Sequence, residues 1–205
     1  EVDIRVIEEF RKQSIPVVLV NNYLDMDGLV CISADHYGGA VQATEYLCKL
    51  GHCKIGLLSG RFSPQVSEAR IEGFVKTLAK YDIPVDDRFI ADIEPALEDG
   101  EEIMTRMLRG VDRPTAFFCT NDTIAAGAMK AVTRAGLRVP EDIAIIGFDD
   151  SYISRVVEPE LTTVRIDAAK MGCLAMQTLF DLIAGMPVEK AHIQIPTELI
   201  VRGTA

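Results

Sequence analysis

Residues 143–150 read Ile-Ala-Ile-Ile-Gly-Phe-Asp-Asp, an apolar run that ends in two aspartates. A short run of this kind is typical of a strand that is buried on both faces of a parallel sheet. The residues before it have a helical pattern over 121–135, and another apolar run precedes that helix at 115–119. Because a strand, a helix and a second strand in this order form a right-handed parallel unit, the sequence predicts an α/β fold.

The same alternation extends in both directions along the chain. Cap residues such as Asn121 mark helix starts, and glycines such as Gly51 and Gly136 mark helix ends. Helices are expected at 2–13, 35–50, 63–80, 98–109, 121–135 and 167–184. Strands are expected at 15–20, 30–33, 54–59, 89–93, 115–119, 143–148, 161–164, 192–195 and 199–202.

The order of the elements predicts two lobes. The alternation is regular from Lys54 to Phe148, after which one long helix and two short strands follow, as though the chain returned to an earlier sheet. We therefore expect an N-terminal lobe of residues 1–60 and 167–195, and a C-terminal lobe of residues 61–165 and 196–205. A sheet of this kind normally begins with a strand, whereas the first predicted element is a helix, so the N-terminal lobe is expected to be incomplete.

Composition excludes several classes of protein. The 205 residues have a formal net charge of −10, which makes direct binding of this chain to the phosphate backbone of nucleic acid unfavourable. The longest apolar run, Ile15–Val20, is far shorter than the about 20 residues of a membrane span. Five scattered cysteines predict a reducing cytoplasm. Cys48, His52 and Cys53 fit no zinc-site spacing, so neither a metal nor a cofactor is expected.

Several motifs follow one another in a fixed order. They are Asp35-His-Tyr-Gly-Gly-Ala40, Ala69-Arg-Ile-Glu-Gly-Phe74, Pro114-Thr-Ala-Phe-Phe-Cys-Thr-Asn-Asp122, Gly147-Phe-Asp-Asp150 and Leu161-Thr-Thr-Val164. Together they resemble the effector-binding core of the LacI/GalR family of bacterial transcription regulators, over about residues 15–202. That core is similar to the type I periplasmic binding proteins, which have two lobes of parallel sheets flanked by helices.

The resemblance implies a cytoplasmic regulator that binds a small polar effector, such as a sugar or sugar derivative, between two lobes. Closure of the lobes would change the affinity for operator DNA through a headpiece that this chain lacks, and a homodimer is the expected assembly. We do not expect an enzyme, because no nucleophile or acid–base pair lies at a strand end. The alternative is a solute-binding protein of a sugar transporter, which would use the same fold.

Three polar residues are the first candidates for contact with the effector. Asp149 directly follows a predicted strand, where its carboxylate can accept two hydroxyl protons, and Arg70 offers a planar fork of donors. Both match family positions that contact the effector. Asn121 matches a further contact position and is also suited to cap its helix. Alternatively, Arg70 pairs with Glu72 or Glu94, and Asp149 is only a turn residue.

Three more positions are candidates, although they depart from the family pattern. The aromatic ring that often stacks on the effector is replaced here by Ile93, so flat stacking is lost at that position. Phe62, beside the first crossover between lobes, either replaces that ring or packs in the hinge. Arg165 lies in the second crossover beside Ile166, where some members have a polar residue.

Overall fold

The computed structural model of the chain describes residues 3–110, 112–188 and 191–205. Within these residues it has six α-helices and nine β-strands. The helices are α1 (Ile4–Lys12), α2 (His36–Lys49), α3 (Pro64–Lys80), α4 (Leu97–Met107), α5 (Asp122–Arg134) and α6 (Ala168–Ile183). The strands are β1 (Val18–Val20), β2 (Val30–Ala34), β3 (Ile55–Gly60), β4 (Ile90–Ile93), β5 (Ala116–Cys119), β6 (Ala144–Asp149), β7 (Thr162–Arg165), β8 (His192–Ile195) and β9 (Glu198–Ile200).

The predicted elements are found with small shifts at their ends, and the α/β class is confirmed. The largest difference lies in the run 15–20, of which only β1 forms a strand. Pro16 has no N–H to donate to a sheet, so pairing begins at Val18, which lies opposite Val30. The helix expected from residue 2 begins at Ile4, and residue 2 itself lies outside the described residues.

A six-stranded sheet has the order β4-β3-β5-β6-β7-β9. Its neighbouring strands are parallel except for β7 and β9, which are antiparallel. Parallel strands need crossover connections, and α3, α4 and α5 supply those between β3, β4, β5 and β6. The carboxyl ends of the parallel strands therefore lie along one side of the sheet, which we call the carboxyl edge.

Both faces of this sheet are buried, which explains why its strands read as apolar runs. Successive residues of one strand enter different core clusters: Leu57 and Leu58 on β3, and Phe118 and Phe117 on β5. The first cluster includes residues of α2 and α3, and the second includes residues of α4 and α5. The helices thus hold the sheet from both sides.

Gly73 allows α2 and α3 to approach each other closely. A Cβ at this position would lie 2.7 Å from the carbonyl oxygen of Tyr37 and 2.8 Å from the Cβ of Ala40. A larger residue would therefore push the two helices apart. This close packing explains why the motif around Arg70 has a glycine at position 73.

A separate sheet of three parallel strands has the order β1-β2-β8. Ile7 of α1 packs with Leu19, Leu29 and Cys31 in the core of this part of the chain. Among the described helices, none is both long and apolar enough to cross a membrane.

The chain divides into two compact units, but the boundary differs from the expected one. The small unit comprises residues 1–35 and 167–196, and the large unit comprises residues 36–166 and 197–205. The assignment of residues 36–60 to the N-terminal lobe was therefore wrong. Strand β3 pairs with β4 and β5, and α2 packs on α3, so this segment belongs to the large unit.

Candidate functional site

The candidate site lies in the large unit, at the carboxyl edge of its six-stranded sheet. Asp149 is the last residue of β6, and Asn121 follows β5 by two residues. Arg70 reaches the same edge from α3, because its guanidinium donates hydrogen bonds to the Thr120 carbonyl and to Asp149. The fold therefore brings Arg70 and Asp149 together from positions 79 residues apart in the chain.

Arg70 is held tightly and is only 3% exposed. Its Nη2 lies 3.3 Å from Asp149 Oδ1, and its Nε and Nη2 lie 3.4 Å and 3.2 Å from His36 Nδ1. The guanidinium carbon also lies 3.9 Å from the centroid of the Phe148 ring, a cation–π contact. The predicted alternative of a solvated Arg70 paired with Glu72 or Glu94 is wrong.

Burial sets the charge states around Arg70. It lowers the pKa of Arg70 to about 10, against the opposing attraction of Asp149, so the guanidinium stays charged at neutral pH. Burial, with the charge of Arg70, also lowers the pKa of His36 to about 3. His36 is therefore neutral, and since arginine has only donors, its Nδ1 accepts from Arg70.

Asp149 combines a fixed carboxylate oxygen with an available one. Oδ1 accepts from Arg70, while Oδ2 has no hydrogen-bond partner among the described residues, and the side chain remains 37% exposed. Burial raises the pKa of Asp149 to about 6, against the attraction of Arg70 and with the repulsion of Asp122. The backbone has a φ of 108°, a strained conformation for a residue other than glycine.

Asp150 lies in a different environment, although it follows Asp149 directly. Its carboxylate is 2% exposed and pairs with Arg202 at 2.5 Å, Arg165 at 2.8 Å and Arg155 at 3.4 Å. Burial alone would raise the pKa of Asp150, but hydrogen bonds from Arg202 and Arg165 outweigh it and lower the pKa to about 2. This carboxylate holds the sheet together and has little capacity to bind a ligand.

Asn121 caps α5, as its sequence position predicts. Its Oδ1 accepts from the Ile124 N–H at 2.8 Å, while its Nδ2 has no hydrogen-bond partner among the described residues. Beside it, Asp122 accepts from Thr163 Oγ1 at 2.5 Å and from the Ser151 N–H at 2.6 Å. Burial raises the pKa of Asp122, and both of its carboxylate oxygens are used by these protein donors.

The structure separates the other three candidates. The Phe62 ring is half-buried, with its centroid 5.0 Å from the Arg70 guanidinium carbon, so it lies beside the site. Ile93 packs against the apolar core and accepts the Arg61 N–H with its carbonyl. The Arg165 side chain pairs with Asp150 and not with Asp149, although the backbones of Asp149 and Arg165 are register partners.

Sequence reasoning missed four residues of the site: His36, Thr120, Asp122 and Phe148. Each lies inside a motif that carried the family resemblance, so the signal was present but was read as a marker of the fold. For a metal, no group of three or more His, Cys, Asp or Glu residues that could bind one occurs in the described part of the chain.

Proteins of known family resemble this chain in sequence and in structure. The family described as a periplasmic binding protein-like domain matches residues 44–205. The HTH-type transcriptional repressor PurR of Pasteurella multocida (strain Pm70) is 36% identical over 191 residues, which are 92% of this chain and 57% of that repressor. The chain thus spans little more than half the length of this relative.

Two solved structures share the fold. A regulatory protein of the LacI family from Chloroflexus aggregans is 31% identical with a TM-score of 0.89, covering 97% of this chain and 71% of that one. A LacI family transcriptional regulator from Enterococcus faecium with bound ribose is 26% identical with a TM-score of 0.89, covering 99% and 75%. These relatives are regulators and repressors, not enzymes. The chain therefore belongs to the LacI family of transcriptional regulators and represents its effector-binding core.

Proposed function

We propose that the large unit binds a small polar effector at Asp149, and that this effector is a sugar or a sugar derivative. The supporting observation is the half-exposed Asp149 carboxylate, whose Oδ1 is fixed by Arg70 while Oδ2 is available. An ionised carboxylate only accepts hydrogen bonds, so it favours a ligand rich in hydroxyl or N–H donors.

The neighbouring groups complement such a ligand. Asn121 Nδ2 supplies a donor, since the cap occupies only Oδ1, and the half-buried Phe62 ring supplies an apolar face. Arg70 acts mainly through Asp149, because its guanidinium is buried and already donates to protein acceptors. Ile93 and Arg165 are the weakest candidates, since the first packs in the core and the second pairs with Asp150.

A neutral sugar fits this electrostatic setting better than an anion. Asp122 and Asp149 together outnumber the single buried cation Arg70 in the immediate site. An anionic ligand would lie near two carboxylates, whereas a polyol would donate to the available Oδ2 of Asp149. The ribose bound to the Enterococcus faecium regulator, which shares the fold, is consistent with this ligand class.

In the whole protein, effector binding regulates the affinity for operator DNA. LacI-family regulators bind effectors and operator DNA, and this chain spans only part of its relatives' length. We therefore assign operator binding to a DNA-binding headpiece and place the protein in the cytoplasm as a homodimer. A coupling of about 1–3 kcal/mol between effector and DNA is typical of such regulators, and lobe closure remains the predicted means. A transport role has less support, because the relatives described above are regulators.

Thermal melting in the presence of sugars, sugar phosphates and purines tests this proposal. A ligand that binds the native state raises the melting temperature, and the rise grows with the logarithm of the ligand concentration once this exceeds Kd. We expect a neutral sugar to do so for the wild-type chain and for Asp142→Asn, since Asp142 pairs with Arg138 before β6, at the opposite end of that strand. The shift should be much smaller in Asp149→Asn at the same sugar concentration, because asparagine tolerates the backbone of this position but loses the carboxylate. An equal shift in Asp149→Asn would refute the assignment.

A further inference from the structure

The Arg70 guanidinium is fixed by groups from three different parts of the large unit. The Thr120 carbonyl lies directly after β5, Asp149 is the last residue of β6, and His36 is the first residue of α2. His36 is itself only 5% exposed, and its ring centroid lies 6.1 Å from that of Phe148, the ring beneath the guanidinium. The imidazole is therefore as tightly placed as the arginine that it contacts.

The geometry points to His36 as a positioning residue of the effector site, which orients Arg70 and, through Arg70, the Asp149 carboxylate. This inference rests on the proposed function and adds a residue to it. His36 Nδ1 lies within hydrogen-bond distance of both Nε and Nη2, so it contacts the Nε–Nη2 side of the guanidinium. Asp149 accepts from Nη2 as well, so the two acceptors share this nitrogen. An acceptor on the Nε–Nη2 side limits rotation of the Arg70 guanidinium and keeps Nη2 directed at Asp149 Oδ1.

A neutral acceptor suits this task better than a charged one. A carboxylate at position 36 would compete with Asp149 for Arg70 and would add a third acidic group to the site. A protonated imidazole would repel the guanidinium and offer no acceptor at Nδ1. Because burial and Arg70 keep the pKa of His36 far below neutrality, the ring accepts throughout the physiological range. Arg70 can then direct its charge to Asp149.

The charge of Asp149 reports whether this arrangement is intact. The charged groups around it are Arg70 from α3, Asp122 from α5 and, along the strands, Asp150 and Arg165, which pair with each other. Of these, Arg70 is the cation that stabilises the ionised form of Asp149. If Arg70 turns away, the pKa of Asp149 rises further, since Asp122 and burial then act without opposition.

Two substitutions at position 36 separate this role from simple packing. His36→Leu keeps a buried side chain of similar size but removes the acceptor, whereas His36→Asn places an amide oxygen where Nδ1 lies. Thr44→Val is the matched control, because Thr44 is a fully buried polar residue of the same helix whose hydroxyl bonds to the Ala40 carbonyl. The Asp149 carboxyl is titrated by ¹³C NMR in each ligand-free protein, and sugar affinity is measured by calorimetry.

We expect His36→Leu to raise the Asp149 titration midpoint and to weaken sugar binding by about 10- to 100-fold. His36→Asn should restore the midpoint and bring the affinity within about threefold of the wild type, and Thr44→Val should change neither. If His36→Leu leaves the midpoint and the affinity unchanged, or lowers only the melting temperature as Thr44→Val does, the inference is wrong. If no sugar binds the wild type, the proposed function fails, and the ligand-free titration still decides whether His36 orients Arg70.

Discussion

Asp149 and Asp150 are adjacent, yet one carboxylate keeps an oxygen without a protein partner among the described residues, while the other is engaged by three arginines. Asp149 has one arginine partner, a side chain that is 37% exposed and a raised pKa. Asp150 has three arginine partners, a side chain that is 2% exposed and a lowered pKa. Both have positive φ values, 108° and 51°, at a turn where β6 ends.

Asp150 is both less exposed and paired with more arginines than Asp149, and both differences reduce its capacity to bind a ligand. Asp150 is satisfied by arginines from three segments of the large unit, so no acceptor capacity is left for a ligand. Asp149 is left partly satisfied, which costs stability but keeps an oxygen available. A substitution of Asp150 should therefore mainly lower the unfolding free energy, whereas a substitution of Asp149 should mainly lower the sugar affinity.

The largest effect is expected from Asp150→Asn. Removing the charge leaves Arg202, which is 11% exposed, without its short ion pair, and such a loss costs about 3 kcal/mol of unfolding free energy. Urea denaturation measures it, with Glu72→Gln as the control, since the exposed Glu72–Lys76 pair contributes about 0.5 kcal/mol. A cost for Asp150→Asn no larger than that of the control would remove the basis of the comparison.

Asp149→Asn should show the reverse profile. We expect sugar affinity to fall by about 1–3 kcal/mol, because the ligand loses a charged acceptor. The unfolding free energy should change less than in Asp150→Asn, since the carboxylate is partly solvated and its raised pKa shows that ionisation is unfavourable in the fold. Calorimetry and urea denaturation of the same samples test both statements. A larger stability loss than in Asp150→Asn would contradict the comparison.

The two carboxylates should also respond to different pH ranges. With a pKa of about 6, Asp149 loses its charge as the pH falls from 7 to 5, so sugar affinity should fall about tenfold. Asp150 has a pKa of about 2, below its unfolded value, so its contribution to stability is complete above about pH 4 and is lost as the pH falls towards 2. Calorimetry at several pH values tests the fall in sugar affinity, with Asp149→Asn as a control whose affinity should not depend on pH in this range. Urea denaturation at several pH values tests the loss of stability due to Asp150.

The smallest effect is expected from Arg155→Ala. Arg155 is 59% exposed and lies 3.4 Å from Asp150, the longest of the three ion pairs, so its loss should cost about 0.5 kcal/mol or less. Urea denaturation of Arg155→Ala and Arg202→Ala, measured side by side, ranks these two partners of Asp150 by the unfolding free energy that each loss costs. An equal loss in the two variants would show that exposure does not order them.

Local sequence patterns predicted the elements well but not their partners. Apolar runs located the strands, and Asn121 was correctly placed as the cap of α5. The lobe boundary at residue 60 was wrong because regular alternation does not reveal which sheet a strand joins. That choice is made by long-range pairing, here of β3 with β4 and β5.

The candidate site shows the same limit. Asp149 could be recognised because the end of a parallel strand is a favoured ligand position, whatever its neighbours. His36 could not, because its role depends on Arg70, 34 residues away in the chain. The Arg165 side chain also depends on a partner that its sequence position does not reveal: its backbone lies opposite Asp149, but its side chain pairs with Asp150.

The large unit is discontinuous in the chain, which affects how it is made on the ribosome. Strand β9 and Arg202 complete its sheet and its buried ion-pair cluster, but α6 and β8, which belong to the small unit, are synthesised first. During translation the nascent large unit therefore has an unpaired β7 edge, and Asp150 lacks Arg202, its shortest ion-pair partner, until the small unit's segment has emerged. Its folding cannot finish before most of the small unit is available to fold.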